Sequence, residues 1–234
     1  MAGSFSSKIS LICILIHISV IFNNYTNLSS ILYLGIQIEK SKEDLQKIVF
    51  VELENMIYNT QNKELNQVYN ELIENFYNEA IYRFPSDLHI TTVFDPATQI
   101  ENESVKHFQD GKKINIDIHG IVIIPNKLVT FYVSCQTPVA NTFPHITFLV
   151  GKDYKSKYSN IVLELVFEKM NENAYYYIDS SIAVHNSFRI FNNIELFGKN
   201  ESIYVLNFAN KKNITGKMKI YFKKNKINSP ISEH

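Results

Sequence analysis

The chain has 234 residues, 45% of them hydrophobic, with 23 basic and 23 acidic side chains and no net charge. That is enough apolar material for one domain, or one domain behind a leader, and the charge balance gives no case for a protein that coats a polyanion. Only Cys13 and Cys135 are present, which excludes a disulfide framework and a cysteine-based zinc site. The charge is unevenly spread. Residues 39–79 are rich in Glu, whereas Lys199 to Lys226 holds eight lysines and a single acid, Glu201. A basic C-terminal third suits a phosphate-bearing substrate. A solvated lysine-rich surface explains it equally well, because Asn, Ile, Lys and Tyr are abundant throughout.

Lys8 is followed by Ile9 to Phe22, an apolar run broken only by Ser10, His17 and Ser19. Its length is that of a signal-peptide core and is short for a membrane span. Residues 1–30 are therefore expected to be a signal peptide or, if uncleaved, a hydrophobic anchor, with a first strand of the fold as the remaining reading. The implied location is the secretory pathway or extracellular, and the sequons at Asn24, Asn27, Asn102, Asn200 and Asn213 fit a glycoprotein. The domain itself is expected over 31–225, with a polar tail over 226–234.

Ile31 to Ile38 is an apolar run that ends in charge, the pattern of a buried strand. Leu45, Ile48, Val49, Leu53, Met56 and Ile57, then Leu65, Val68, Tyr69, Leu72, Ile73, Phe76 and Tyr77, recur at helical spacing. They predict two amphipathic helices joined near Asn59 to Asn62. Pro85 closes this helical region, because proline cannot continue the hydrogen-bond ladder. A strand over Leu88 to Phe94 follows, then a short helix or loop over 100–109. Asp110-Gly111 is a turn signal that opens further strands, with Ile114 to His119 alternating and Pro125-Asn126 closing a hairpin to Leu128. Pro144 to Val150 is a strand, and Ser159-Asn160 is the expected cap of a helix over 161–170. The segments 175–178, 188–197, 202–208 and 217–222 read as strands separated by Asn, Gly and Lys turns. Strands and helices in this order make an α+β domain of antiparallel sheet with helices packed on it.

Two strings carry chemistry: Leu88-His89-Ile90-Thr91 and Pro144-His145-Ile146-Thr147. In a strand, residues two apart share a face, so each string sets an imidazole beside a hydroxyl. Two such pairs across a cleft supply two acid/base groups and two hydroxyl donors around one small anion, which suits phosphodiester cleavage without a metal. Seven histidines and ten threonines make either string alone a weak signal; the pair, in two strands, is the pattern. His119 alternates in its own strand and is read first as a locally satisfied histidine. His107, His185 and His234 fall outside ligand spacing, and no His-Glu-x-x-His or calcium loop occurs, so no metal and no cofactor are expected. Tyr158, in a Lys-Ser-rich loop, is a candidate for stacking on a nucleobase.

The paired strings resemble the 2H phosphoesterase superfamily. The likeness is nearest to the cyclic phosphodiesterase domain of fungal tRNA ligases and to the myelin 2′,3′-cyclic nucleotide 3′-phosphodiesterase. Phe143 to Phe148 with Lys155 to Asn160 looks like their second motif and the start of the helix after it. Residues 194–198, 204–208 and 216–222 resemble the closing strands of the myelin enzyme's catalytic domain. The resemblance implies a two-lobed α+β fold, with antiparallel sheets lining a central cleft and helices on the outer faces. It implies His89 and His145 as the acid/base pair, and Thr91 and Thr147 as the groups that bind the substrate phosphate. The implied substrate is RNA with a 2′,3′-cyclic phosphate end, or a cyclic nucleotide, hydrolysed to a 2′-phosphate. Histidine suits both roles because its ordinary pKa lies near neutrality, so a bell-shaped profile near neutral pH is expected, and the protein is expected to be a monomer. A non-catalytic nucleotide- or RNA-binding protein that keeps the cleft is the alternative. The upstream P-loop kinase-like domain of those relatives has no counterpart motif in this sequence, so the resemblance carries the phosphodiesterase step and not a ligase role.

Overall fold

The computed structural model describes residues 30–99, 101–172 and 187–223. The leader, the sequons at Asn24 and Asn27, the strand expected over 175–178 and the polar tail lie outside the described residues. Strand β1 (Ile31–Ile38) leads to helices α1 (Lys42–Thr60) and α2 (Lys63–Asn75). Ser41 caps α1, its Oγ accepting the Asp44 N–H at 3.1 Å, and Asn62 caps α2, its Oδ1 accepting the Leu65 N–H at 2.9 Å. Each such cap contributes about 1 kcal/mol. Gln61, at φ 49°, breaks the two helices apart where the apolar period lapses.

The chain continues through β2 (Tyr82–Arg83), β3 (His89–Phe94), a 3₁₀ turn (Pro96–Thr98) and the short α3 (Glu103–Lys106). It then forms β4 (Lys113–Ile124), β5 (Leu128–Cys135), β6 (His145–Gly151), α4 (Tyr158–Glu172), β7 (Ser187–Leu196) and β8 (Lys199–Phe222). The strands build one antiparallel sheet in the order β2-β6-β5-β4-β8-β1-β3, with β7 also paired to β8. Its two lobes share β4 and β8. The C-terminal half of β8 pairs with β1 and its N-terminal half with β7, while β4 runs alongside both halves. The lobes meet at His119, where β4 bulges by one residue against β5 and β8 carries three extra residues against β4 between Lys212 and Asn207.

The sequence divides 202–208 from 217–222 by an Asn/Lys-rich turn, yet β8 runs unbroken for 24 residues. Asn213 and Thr215 are outward positions of a ladder with β4, and Ile214 between them is buried. Polar residues at every second position mark a strand with one wet face, not a turn. Similarly, Ser159 lies inside the first turn of α4 rather than at its cap.

One face of the sheet packs on α1 and α2. There Ile36, Ile90, Ile116 and Ile146 meet Leu45, Val49 and Leu53 of α1 and Leu65 and Leu72 of α2. The opposite face of the second lobe packs on α4 through Val162, Leu163 and Val166, against Val122, Tyr132 and Val205. The sheet also curls. Strand β3, at one end of the strand order, comes to lie beside β6 near the other end, and the Ala140 N–H donates to the Thr92 carbonyl at 2.8 Å. This closure brings the two His-Ile-Thr strings together. No helix among the described residues is long and apolar enough to cross a membrane.

Candidate active site

On β3, His89 and Thr91 are half-buried on one side while Ile90 and Val93 enter the core. A bulge at Thr92 interrupts the ladder: Gly35 pairs with Thr91, and Leu34 with Val93. On β6, His145 is 8% exposed and pairs with Tyr132 of β5, and Thr147 pairs with Thr130. The Tyr132 ring lies edge-on to Phe167 of α4, so α4 covers the face that carries His145.

The two histidines are held alike. His89 Nδ1 lies 3.0 Å from the Asp87 carbonyl, and His145 Nδ1 lies 2.8 Å from the Phe143 carbonyl, each two residues back along the chain. A carbonyl only accepts, so both rings must carry a proton on Nδ1. Each Nε2 is then the nitrogen that exchanges protons, and among the described residues neither has a hydrogen-bond partner. Burial lowers the pKa of both imidazoles. For His89 the Asp87 carbonyl and carboxylate oppose the drop, with the Lys219 charge adding to it. For His145 the Phe143 carbonyl opposes it, and the charge on His89 adds to it.

Around His89 the structure assembles residues that sequence reasoning did not single out. Tyr33 stacks on the imidazole at 4.9 Å between centroids, and Tyr221 stacks on Tyr33 at 4.3 Å. Gly35 makes room for both rings. A Cβ there would stand 3.1 Å from Tyr221, 3.4 Å from Tyr33 and 2.9 Å from the Ile90 carbonyl. Burial, then the nearby Asp87 carboxylate, raises the Tyr33 phenol to about 12 and holds that of Tyr221 higher still. Gln37 donates to Asp87 at 3.0 Å, Lys219 donates to Gln37 at 3.2 Å, and the Lys219 ammonium lies 3.6 Å from Asp87. The segment that orients His89 is thus braced from β1 and β8.

The hydroxyls differ. Thr91 makes no side-chain hydrogen bond among the described residues. Thr147 Oγ1 lies 2.9 Å from Ser159 Oγ and 3.4 Å from the Ser156 carbonyl. Ser159 is fully buried at the start of α4. In sequence it reads as a helix cap, and only the length of the loop before α4 hints that it could reach β6.

Tyr158, the candidate for base stacking, lies face to face with Phe197 at 3.9 Å and edge-on to Tyr154 at 5.6 Å, packed against the core under α4. One of its faces is taken. His119 Nε2 lies 2.8 Å from Ser134 Oγ, and His107 pairs with Glu103 at 3.3 Å, so both have local partners. Burial, then Asp117, pushes the Cys135 thiol up to about 12, so it holds no thiolate at neutral pH.

Fold and site together define an α+β protein whose curled sheet brings the two strands that carry the His-Ile-Thr strings near each other. No family model matches the chain, and no curated protein matches it in sequence. Among solved structures, the crystal structure of a fungal RNA kinase is similar, with a TM-score of 0.49 and 15% identity over 82% of this chain. The match spans about half, 46%, of that protein's chain. At that identity and score the likeness says nothing about activity.

Proposed function

We propose that this chain is a 2H-type cyclic phosphodiesterase that hydrolyses 2′,3′-cyclic phosphates to 2′-phosphates with two histidines and no metal. One observation carries the reading: two imidazoles on strands that lie together are each fixed at Nδ1 by a carbonyl, and among the described residues neither Nε2 has a hydrogen-bond partner. Hydrolysis then balances as follows. Water oxygen bonds to phosphorus, the bond from phosphorus to the 3′ oxygen breaks, one Nε2 takes the water proton, and the other ring gives its Nε2 proton to the leaving oxygen. The Asp87 carboxylate lies beside His89, whereas His145 is the more deeply buried ring and feels the charge on His89. We therefore assign His89, beside the Asp87 segment, as the acid and His145, the more buried ring, as the base. Thr91 and Thr147 hydrogen-bond the non-bridging oxygens as charge gathers there.

The pH profile tests this assignment. Activity requires His145 neutral and His89 protonated, so kcat/KM rises through the pKa of the first and falls through that of the second. Both lie below the ordinary 6.5 because burial disfavours the charged ring. The bell should therefore centre on the acid side of histidine's ordinary pKa. A bound phosphate anion favours both protonated rings, so the kcat profile should lie at higher pH than that of kcat/KM. A rate that rises steadily through pH 8 would be incompatible with a histidine acid.

Ser159 is a positioning residue in this scheme. A threonine hydroxyl has one proton. If Ser159 donates to Thr147, the Thr147 proton is free for the phosphate. Ser159→Ala leaves Thr147 to donate to the Ser156 carbonyl, and kcat should fall about tenfold with KM little changed. Ser159→Thr should restore most of the rate. An unchanged kcat in Ser159→Ala removes the role.

A further inference from the structure

We propose that the face formed by β3, β1 and the C-terminal half of β8 is a track for the RNA strand behind the cyclic phosphate, so that the substrate is a single-stranded RNA end rather than a free mononucleotide. This rests on the phosphodiesterase reading above.

The two lobes hold their histidines alike but differ in what covers them. Beside His145 the sheet is capped by α4. Beside His89 the same surface runs on across β1 and β8. Among the described residues no helix packs on it, since α1 and α2 take the opposite face. Residues opposite one another in an antiparallel ladder share a face, so the register gives the contents of this surface. One row is His89, Gln37, Lys217 and Lys113; the next is Thr91, Gly35 and Lys219; the third is Phe94, Tyr33 and Tyr221. Phe94 is 60% exposed, and the Lys217 and Lys219 side chains are 50% and 43% exposed. Lysines and aromatic rings interleaved on an open sheet are the chemistry that holds unpaired nucleotides, by phosphate contact and base stacking. The lysines also face Glu39 at 3.1 Å and Asp87 at 3.6 Å. Ion pairs this exposed to water are weak, so a phosphate can share their lysines.

Distance along the strand selects a polymer. Phe94 lies five residues beyond His89, with one residue taken up by the bulge, which is about 13–16 Å at the rise of a strand. That is farther than a nucleoside reaches from its own phosphate. Phe94 would therefore meet a base further back along the strand, which a mononucleotide lacks.

The test compares kcat/KM on a single-stranded RNA hexamer ending in a 2′,3′-cyclic phosphate with kcat/KM on a 2′,3′-cyclic mononucleotide. For the wild type the hexamer should be favoured by about tenfold, the size of one base–aromatic stack. Phe94→Ala, an exposed change that spares the core, should lose that factor on the hexamer and stay within about twofold on the mononucleotide. Equal values on both substrates for the wild type, or a Phe94→Ala loss of equal size on both, overturns the track. If neither substrate turns over, the catalytic reading has failed by itself, and anisotropy with a labelled hexamer ending in a 2′-phosphate decides the track. Binding weakened about tenfold by Phe94→Ala supports it; unchanged binding overturns it.

Discussion

His89→Ala and His145→Ala should each nearly abolish turnover of a 2′,3′-cyclic phosphate, with kcat lowered by about 10²–10⁴-fold. A single bond cleavage needs a proton acceptor and a proton donor, and each variant removes one of them. The double variant should be far less impaired than the product of the singles, since groups that act as a unit are non-additive. The two singles should differ in pH dependence. Without His145 the acidic limb should disappear, and without His89 the alkaline limb should. His145 is nearly buried, so its replacement leaves a small void and an unpaired Phe143 carbonyl. Its Tm should be measured beside the rate, and His145→Asn should reproduce the loss if the defect is chemical. A His89→Ala variant that keeps most of the wild-type rate would contradict the assigned roles.

Thr91→Ala and Thr147→Ala should cost less, on the order of the 10²–10³-fold that follows removal of one preorganised donor. The effect should fall mainly on kcat, because the hydroxyls meet more negative charge in the transition state than in the bound substrate. The two threonines should not be equivalent. Thr91 has no competing hydrogen bond among the described residues, whereas Thr147 is shared with Ser159 and the Ser156 carbonyl. Loss of Thr147 should therefore add less than its full factor in a Ser159→Ala background, while loss of Thr91 should add its full factor in that background. Equal behaviour of both threonines in the Ser159→Ala enzyme would show that the contact with α4 is incidental.

Much of this arrangement is legible in the residues, for identifiable reasons. Strand period places His89 with Thr91 and His145 with Thr147, and the apolar periods of α1 and α2 locate the helices that bury the other face. What local pattern does not reveal is long range. Tyr33 reads as one more apolar residue of a buried strand, and its role beside His89 depends on pairing with β8, nearly two hundred positions away. Asp87 carries no signal of its own, and it meets Gln37 and Lys219 only after β1 and β8 have come together. The unbroken β8 was hidden because Asn213 and Thr215 look like turn residues until their partners on β4 are known.

The charge asymmetry of the sequence is partly resolved in the same way. Glu39 and Glu52, from the acidic N-terminal segment, pair with Lys217 and Lys212 from the basic C-terminal one, at 3.1 Å and 2.6 Å. These contacts join the two ends of the chain and neutralise part of the basic excess within the fold. The lysine count therefore overstates the positive field open to a substrate.

The most direct measurement is turnover of an RNA oligonucleotide ending in a 2′,3′-cyclic phosphate by the purified protein in EDTA, with the product identified as a 2′- or 3′-phosphate. The two-histidine account predicts hydrolysis to the 2′-phosphate at a rate that EDTA leaves unchanged and that the His89→Ala/His145→Ala variant lacks. No turnover by the wild type, turnover abolished by EDTA, or a rate equal in the double variant would contradict it.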